Sequence, residues 1–222
     1  MSNSKKAVIF DLDGTLLDTL QDLCDSGNAV LAAHGHPTHS KEDYKTFIGD
    51  GMMSLVRAIF PEGHKPETDA ECDAMLSEYR EAYGRNWTNT TKPFPGIGEL
   101  LSELERREIP IGVLSNKGHD FTVKCVEEFL SQWKWTAIFG HRDGFEKKPH
   151  PSGAIEVAGL MGIAPEDCCY VGDSDVDMFT AKNAGMYAVG VNWGFRSVEE
   201  LRSAGSDVIL EIPGQLLEEL GS

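Results

Sequence analysis

Four short apolar runs in this chain alternate with segments that have the period of a helix, and polar residues come after each run. The runs cover residues 8–10, 109–114, 136–139 and 168–171. Between them, apolar residues recur three and four positions apart, which is typical of an amphipathic helix. One such stripe comprises Ile97, Leu100, Leu101 and Leu104. Because strands that alternate with helices favour a parallel sheet covered on both faces, we predict an α/β fold with a Rossmann-like, doubly wound parallel sheet.

Reactive side chains lie just beyond these runs. Asp11 follows the first run directly, and Ser115 follows the second. The third run leads through a loop to Lys148, and Asp173 lies two residues beyond the fourth. Because ligands of open parallel sheets bind outside the carboxyl ends of the strands, we expect these side chains to share one crevice.

The first run ends in two carboxylates that are one residue apart, Asp11 and Asp13. A carboxylate at a strand end can attack an electrophile and form a covalent intermediate, and a neighbouring carboxylate can transfer protons. The alternative is that residues 11–15 form only a turn and a helix start, since Asp, Gly and Thr favour both. The polar residues after the other three runs favour the catalytic interpretation.

Four motifs, in this order, resemble those of the haloacid dehalogenase superfamily of phosphohydrolases, and the resemblance covers nearly the whole chain. The motifs are Asp11-Leu12-Asp13-Gly14-Thr15, Ser115-Asn116, Lys148-Pro149 and Gly172-Asp173-x-x-x-Asp177. The resemblance implies a phosphate monoester hydrolase that forms an aspartyl phosphate. Superfamily dehalogenases usually lack an acid at the position of Asp13, so this residue favours phosphate chemistry over dehalogenation.

The resemblance also implies roles for the matching residues. Asp11 would be the nucleophile and Asp13 the general acid and base, with Ser115 and Lys148 completing the catalytic set. Substrate binding would involve Thr15, Ser115, Asn116 and Lys148. The cofactor would be Mg²⁺, a hard cation that takes oxygen ligands. Its contacts would be the side chains of Asp11 and Asp173, the backbone carbonyl of Asp13, and Asp177 either directly or through a water.

The stretch between the first motif and Pro93 is too long to be a loop in a compact domain. Apolar residues recur there at helical spacing, and Ser40 is placed to cap a further short helix. We therefore predict a helical cap domain over residues 18–92, inserted into a core domain of residues 1–17 and 93–222. In the superfamily, an insert at this position is a mobile cap whose closure would exclude bulk water.

Composition limits the partners of the chain. Its formal net charge of −16 argues against nucleic acid and anionic membranes as partners. No apolar stretch approaches the ~20 residues that a membrane span needs. The five cysteines form no CxxC pair, which favours a reducing, cytoplasmic location. A monomer and a homodimer both remain open.

The substrate is predicted to be a small phosphorylated metabolite. Within the superfamily, residues 47–51, 92–96 and 190–194 look most like those of phosphoglycolate phosphatases, and 2-phosphoglycolate carries a carboxylate that needs a cation. The candidates for that cation are Arg57, Lys45 and Lys92. Sugar phosphatase, pyrophosphatase and phosphomutase activities remain alternatives, and a non-catalytic interaction module is the alternative from another class.

Overall fold

The computed structural model describes residues 5–220, and the chain divides into two compact units. One unit consists of Met1–Leu17 with Pro93–Ser222, and the other consists of Asp18–Lys92. Within residues 5–220, no helix is both long and apolar enough to cross a bilayer.

The smaller unit is all-helical. Its helices are α1 (Leu20–Ala33), α2 (Lys41–Phe47), α3 (Met52–Ile59) and α4 (Asp69–Asn86). Ser40 caps α2 as predicted, because its hydroxyl oxygen accepts the Asp43 N–H at 3.2 Å while the Asp43 carboxylate accepts the Ser40 N–H at 2.9 Å. Such reciprocal bonds satisfy two backbone donors that a helix start otherwise leaves unpaired.

A buried carboxylate ties the start of α1 to the chain segment that follows α4. Asp22 accepts the backbone N–H and the hydroxyl of both Thr90 and Thr91, at 2.6–3.1 Å. Burial opposes the charge on Asp22, but these donors outweigh it and lower the pKa of the carboxyl. The carboxylate therefore fixes the path along which the chain leaves the smaller unit.

The larger unit is built on six parallel strands. They are β1 (Ala7–Phe10), β4 (Ile111–Gly118), β5 (Ala137–His141), β6 (Cys168–Gly172), β7 (Tyr187–Val191) and β8 (Val208–Leu210). Their order in the sheet is β5-β4-β1-β6-β7-β8, which places β1 next to both β4 and β6. Two further strands, β2 (Leu17–Asp18) and β3 (Lys92–Pro93), pair with each other. The predicted α/β fold with a parallel sheet is confirmed.

Helices follow the strands along the chain of the larger unit. They are α5 (Ile97–Arg106), α6 (His119–Phe129), α7 (Ser152–Met161), α8 (Asp175–Ala184) and α9 (Val198–Ser203). The predicted apolar stripe is buried on α5. The four residues of β1 are also buried, which explains their continuous apolar sequence, because a parallel sheet in an α/β fold is covered on both faces.

The strand predicted for residues 109–114 is shifted along the chain. It begins at Ile111, because Pro110 has no N–H to donate to a ladder. The prediction that it ends at Leu114 is wrong, since β4 continues to Gly118 and includes the polar residues 115–117. Its register with β5 shifts between Leu114 and Gly118. Polar side chains are therefore accommodated where the pairing is irregular, at the carboxyl end of the sheet.

Candidate active site

The carboxyl ends of the central strands carry the predicted reactive residues. Asp11 follows β1, Ser115 lies in the last half of β4, and Asp173 follows β6. Lys148 comes from the segment between β5 and α7, and Asp177 lies in the first turn of α8. All five residues are buried. The positions of these residues follow from the parallel topology, since the carboxyl ends of parallel strands share one edge.

Three carboxylates form an acidic cluster, which consists of Asp11, Asp173 and Asp177. One oxygen of each lies within 4.8 Å of the others. The ammonium of Lys148 lies 2.6 Å from Asp177 Oδ1 and 2.9 Å from Asp11 Oδ1. Apart from this contact with Lys148, Asp11 Oδ1 has no polar partner among the described residues. One ammonium therefore faces three carboxylates, and the cluster could hold a divalent metal ion.

Burial changes the ionisation of this cluster. It raises the pKa of Asp11 to about 6, although Lys148 opposes the shift. It raises the pKa of Asp173 to about 8, and the nearby Asp177 and Asp11 carboxylates add to that rise. Burial acts to lower the pKa of Lys148, but the Asp11 and Asp177 carboxylates outweigh it and hold this pKa well above its usual value. Lys148 therefore stays charged, while the buried carboxyl groups of Asp11 and Asp173 ionise less readily than exposed ones.

Asp173 is held from several sides. Its Oδ1 accepts the Thr15 hydroxyl at 3.2 Å, and its Oδ2 accepts the Phe195 N–H at 2.8 Å. Gly14 and Gly194 both pack against its side chain, so a Cβ at either position would overlap with the carboxylate. Thr15, which was predicted to bind substrate, is buried with its hydroxyl on Asp173. The segment 190–194 was noted in the sequence only as part of a resemblance, and its packing role was missed.

We expect Gly194→Ala to destabilise the protein by about 1–3 kcal/mol, because the added methyl group must displace Asp173 in a packed site. Chemical unfolding in urea, without added metal, measures the change. Gly159→Ala is the matched control, since Gly159 lies in α7 with open space where its Cβ would be. The control should be neutral or stabilising by about 1 kcal/mol. Equal effects of the two substitutions would contradict the packing described here.

Lys148 is positioned through both its backbone and its ammonium. The Asn116 side chain accepts the Lys148 N–H at 2.9 Å and donates to the Lys148 carbonyl at 3.1 Å. Asp177 holds the ammonium with Oδ1, while its Oδ2 accepts the Ser174 N–H and hydroxyl in the capping box of α8. Asn116, predicted to bind substrate, therefore supports Lys148. Lys147, which precedes Lys148 and is the other lysine that could be matched to the third motif, is only half-buried.

The Asp13 side chain lies outside the acidic cluster and contacts a residue that the sequence analysis missed. The ammonium of Lys117 lies 3.1 Å from both carboxylate oxygens of Asp13. The Lys117 N–H also donates to Ser115 Oγ at 3.3 Å. Its position directly after Ser115-Asn116 was the only signal for this residue, and it is a weak one.

Arg57 belongs to the smaller unit, where its guanidinium donates to Cys72 Sγ at 3.0–3.1 Å. Lys45, another candidate for a substrate carboxylate, pairs with Glu42 one turn away on α2. Both cations thus have partners inside their own unit.

Comparisons with known proteins identify the family. A profile described as haloacid dehalogenase-like hydrolase matches residues 8–191. Phosphoglycolate phosphatase from Chromobacterium violaceum is 33% identical over 219 residues, which cover 96% of this chain and 95% of that protein. Phosphoglycolate phosphatase from Escherichia coli is 30% identical over 233 residues, which cover 97% of this chain and 92% of that protein.

Solved structures agree with these matches. A crystal structure from Lactobacillus delbrueckii subsp. bulgaricus has a TM-score of 0.88 at 32% identity, over 99% of this chain and 100% of that one. A predicted phosphoglycolate phosphatase from Haemophilus somnus has a TM-score of 0.89 at 27% identity, over 98% of each chain. The chain belongs to the haloacid dehalogenase-like hydrolase family, which confirms the predicted family.

Proposed function

We propose that this protein is a Mg²⁺-dependent phosphate monoester hydrolase in which Asp11 takes up the phosphoryl group. The observation that carries the proposal is the convergence of Asp11, Lys148 and the two acids that follow β6, Asp173 and Asp177, at one buried place. A nucleophilic carboxylate repels a phosphate dianion, so its site must supply positive charge. Lys148 supplies one such charge, and the acidic cluster is suited to hold another.

The reaction has two steps. In the first, an Asp11 oxygen bonds to phosphorus while the bond to the leaving alcohol oxygen breaks, and the carboxylic acid of Asp13 gives that oxygen its proton. In the second, a water oxygen bonds to phosphorus, the Asp13 carboxylate takes a water proton, and the bond to Asp11 breaks to release inorganic phosphate. Ser115 Oγ already accepts the Lys117 N–H, so its own hydrogen can be donated to a phosphoryl oxygen.

Mg²⁺ fits the donor set of the acidic cluster. The ligands are all oxygens, Asp11 Oδ1 has no polar partner besides Lys148 among residues 5–220, and burial raises the pKa of Asp173, so a cation is needed to hold this carboxylate in its ionised form near neutral pH. When bound, the ion neutralises charge on the phosphoryl oxygens. Asp11 and Asp173 would hold it with side-chain oxygens and Asp13 with its carbonyl. Asp177 would contact it directly or through a water, while its two oxygens also accept from Lys148 and Ser174.

The raised pKa values predict how stability depends on pH and metal. Both carboxyl groups have higher pKa values in the folded protein than the ordinary value of 3.8, so their protonated forms stabilise the metal-free fold. This stabilisation is complete below about pH 3.8 and is lost as the pH rises through the folded-state pKa of about 6 for Asp11 and about 8 for Asp173. In EDTA, we therefore expect the unfolding temperature to fall by about 3 °C or more between about pH 5 and about pH 8. Mg²⁺ should raise the unfolding temperature more at the higher pH, because the carboxylates are then ionised. Thermal melts monitored by circular dichroism measure both effects. A Mg²⁺ effect that is larger at the lower pH would contradict this assignment.

We further propose that the substrate is 2-phosphoglycolate, that residues 18–92 serve as the cap and that the protein acts in the cytoplasm. The names of the relatives from C. violaceum and E. coli support the substrate, since both align over nearly the full chain. The five free cysteines support a reducing compartment.

Phosphate release from a panel of esters tests this function. The panel contains 2-phosphoglycolate, sugar phosphates, nucleotides and pyrophosphate, each with Mg²⁺ and with EDTA. We expect Mg²⁺-dependent turnover with the highest kcat/KM for 2-phosphoglycolate. A higher kcat/KM for a sugar phosphate or for pyrophosphate would overturn the substrate and keep the reaction class. Turnover of no phosphate compound would leave the family fold with a non-catalytic role.

A further inference from the structure

Lys117 lies within β4 directly after Ser115 and Asn116, and its side chain is only 2% exposed. Its ammonium is equally distant from the two oxygens of Asp13, at 3.1 Å, across 104 positions of sequence. The Asp13 side chain is 13% exposed. Of this pair, Asp13 is therefore the residue that solvent or a bound ligand can reach, and Lys117 is almost fully buried.

We propose that Lys117 is the positioning residue for Asp13. This inference rests on the proposed hydrolase function, in which Asp13 transfers protons. A proton passes only when donor and acceptor lie within hydrogen-bond reach, and a displacement of about 1 Å can lower a rate roughly 10²-fold. An ammonium that contacts both oxygens restrains the rotation of the carboxyl group, which a single contact would leave free.

Lys117 is itself immobile, which makes it suitable for this role. Its side chain is buried, and its own N–H is bonded to Ser115 Oγ. Lys117 thus contacts both Ser115, the proposed donor to the phosphoryl group, and Asp13, the proposed proton donor to the leaving oxygen. Because Lys117 acts through Asp13, its loss should change kcat and leave KM unchanged.

Lys117→Met tests the role, since methionine keeps most of the side-chain volume and removes the charge. With 2-phosphoglycolate and Mg²⁺, we expect kcat to fall at least about tenfold and KM to stay within about twofold. With p-nitrophenyl phosphate, the leaving group needs no proton. The pre-steady-state burst of nitrophenolate should therefore stay within about threefold of the unmodified protein. Lys117→Arg, which restores a cation, should recover most of the lost kcat.

A double variant separates positioning from folding. The double variant, Lys117→Met with Asp13→Asn, removes both charges and leaves no unpaired carboxylate. Because Lys117 acts only through Asp13, the double variant should turn over no more slowly than Asp13→Asn alone. Lys182→Met is the matched control, because Lys182 forms a Lys–Asp pair with Asp207 on the surface of the larger unit. The control should keep full activity.

Several results would overturn the inference. The first is that Lys117→Met raises KM and leaves kcat unchanged. The second is that Lys117→Met lowers the nitrophenolate burst as much as it lowers 2-phosphoglycolate turnover. The third is that the double variant is slower than Asp13→Asn by the same factor by which Lys117→Met is slower than the wild-type protein. If the wild-type protein hydrolyses neither p-nitrophenyl phosphate nor any compound of the panel above, the hydrolase function fails and the inference fails with it. If the wild-type protein turns over and the Lys117→Met variant has the same kcat, the inference about Lys117 is overturned and the hydrolase function stands.

Discussion

Replacing Asp11 with asparagine is expected to lower phosphate release by at least about 10⁴-fold and to leave the fold intact. Asparagine keeps the shape of the side chain but cannot form a stable acyl phosphate. Burial disfavours the charged Asp11 carboxylate, so a neutral amide at this place should not lower the unfolding temperature. Phosphate release and circular dichroism melts of the purified variant measure both parts of the prediction.

Asp175→Asn is the matched control for Asp11→Asn. Asp175 lies at the start of α8 and is only half-buried. The same chemical change there should keep activity within about threefold. Undiminished turnover by the Asp11 variant would refute its role as the nucleophile, and a large loss of structure in that variant would refute the stability argument.

Lys148→Met is expected to have the second large effect, on stability as well as on catalysis. The Lys148 side chain is 3% exposed and is the cation in direct contact with two carboxylates of the acidic cluster. Removing one partner of a buried ion pair costs about 3–5 kcal/mol, because the other partner stays buried without compensation. We expect this loss in metal-free urea unfolding at about pH 8, and a smaller loss at about pH 5, where Asp11 and Asp173 are largely protonated.

The neighbouring lysine provides the control for this prediction. Lys147→Met removes the same charge from a half-buried position and should change the free energy of unfolding by less than about 1 kcal/mol. Added Mg²⁺ should restore part of the stability of the Lys148 variant, since the ion replaces the missing positive charge. A pH-independent loss, or equal losses for the two lysines, would contradict the charge balance described for the cluster.

The positions of the catalytic acids could be predicted because they follow local patterns. Asp11 ends a short apolar run, and Asp173 follows another, so strand periodicity alone places both at one edge of the sheet. The capping box at Ser40 is equally local, since its partner lies three residues away. Such features depend on near neighbours in the chain and can be recognised without knowing the tertiary structure.

Contacts between distant segments could not be predicted in the same way. Lys117 meets Asp13 only because β4 pairs with β1, and Phe195 meets Asp173 only because the segment after β7 folds back toward β6. The apolar run predicts a strand that ends at Leu114, whereas β4 continues through the polar residues 115–117. The last two strands of the sheet, β7 and β8, were not among the four predicted strands. β7 has a glycine in its interior, which weakens a strand pattern, and β8 has only three residues.

The central claim is that Asp11 carries the phosphoryl group during turnover. Rapid acid quenching of the protein with ³²P-labelled substrate and Mg²⁺, followed by mass spectrometry of the peptides, tests it directly. We predict a transient label on the peptide that contains Asp11, formed and lost at rates compatible with kcat and absent from Asp11→Asn. Turnover of the labelled ester with the phosphoryl group on another residue, or on no residue at all, would show that Asp11 is not the nucleophile.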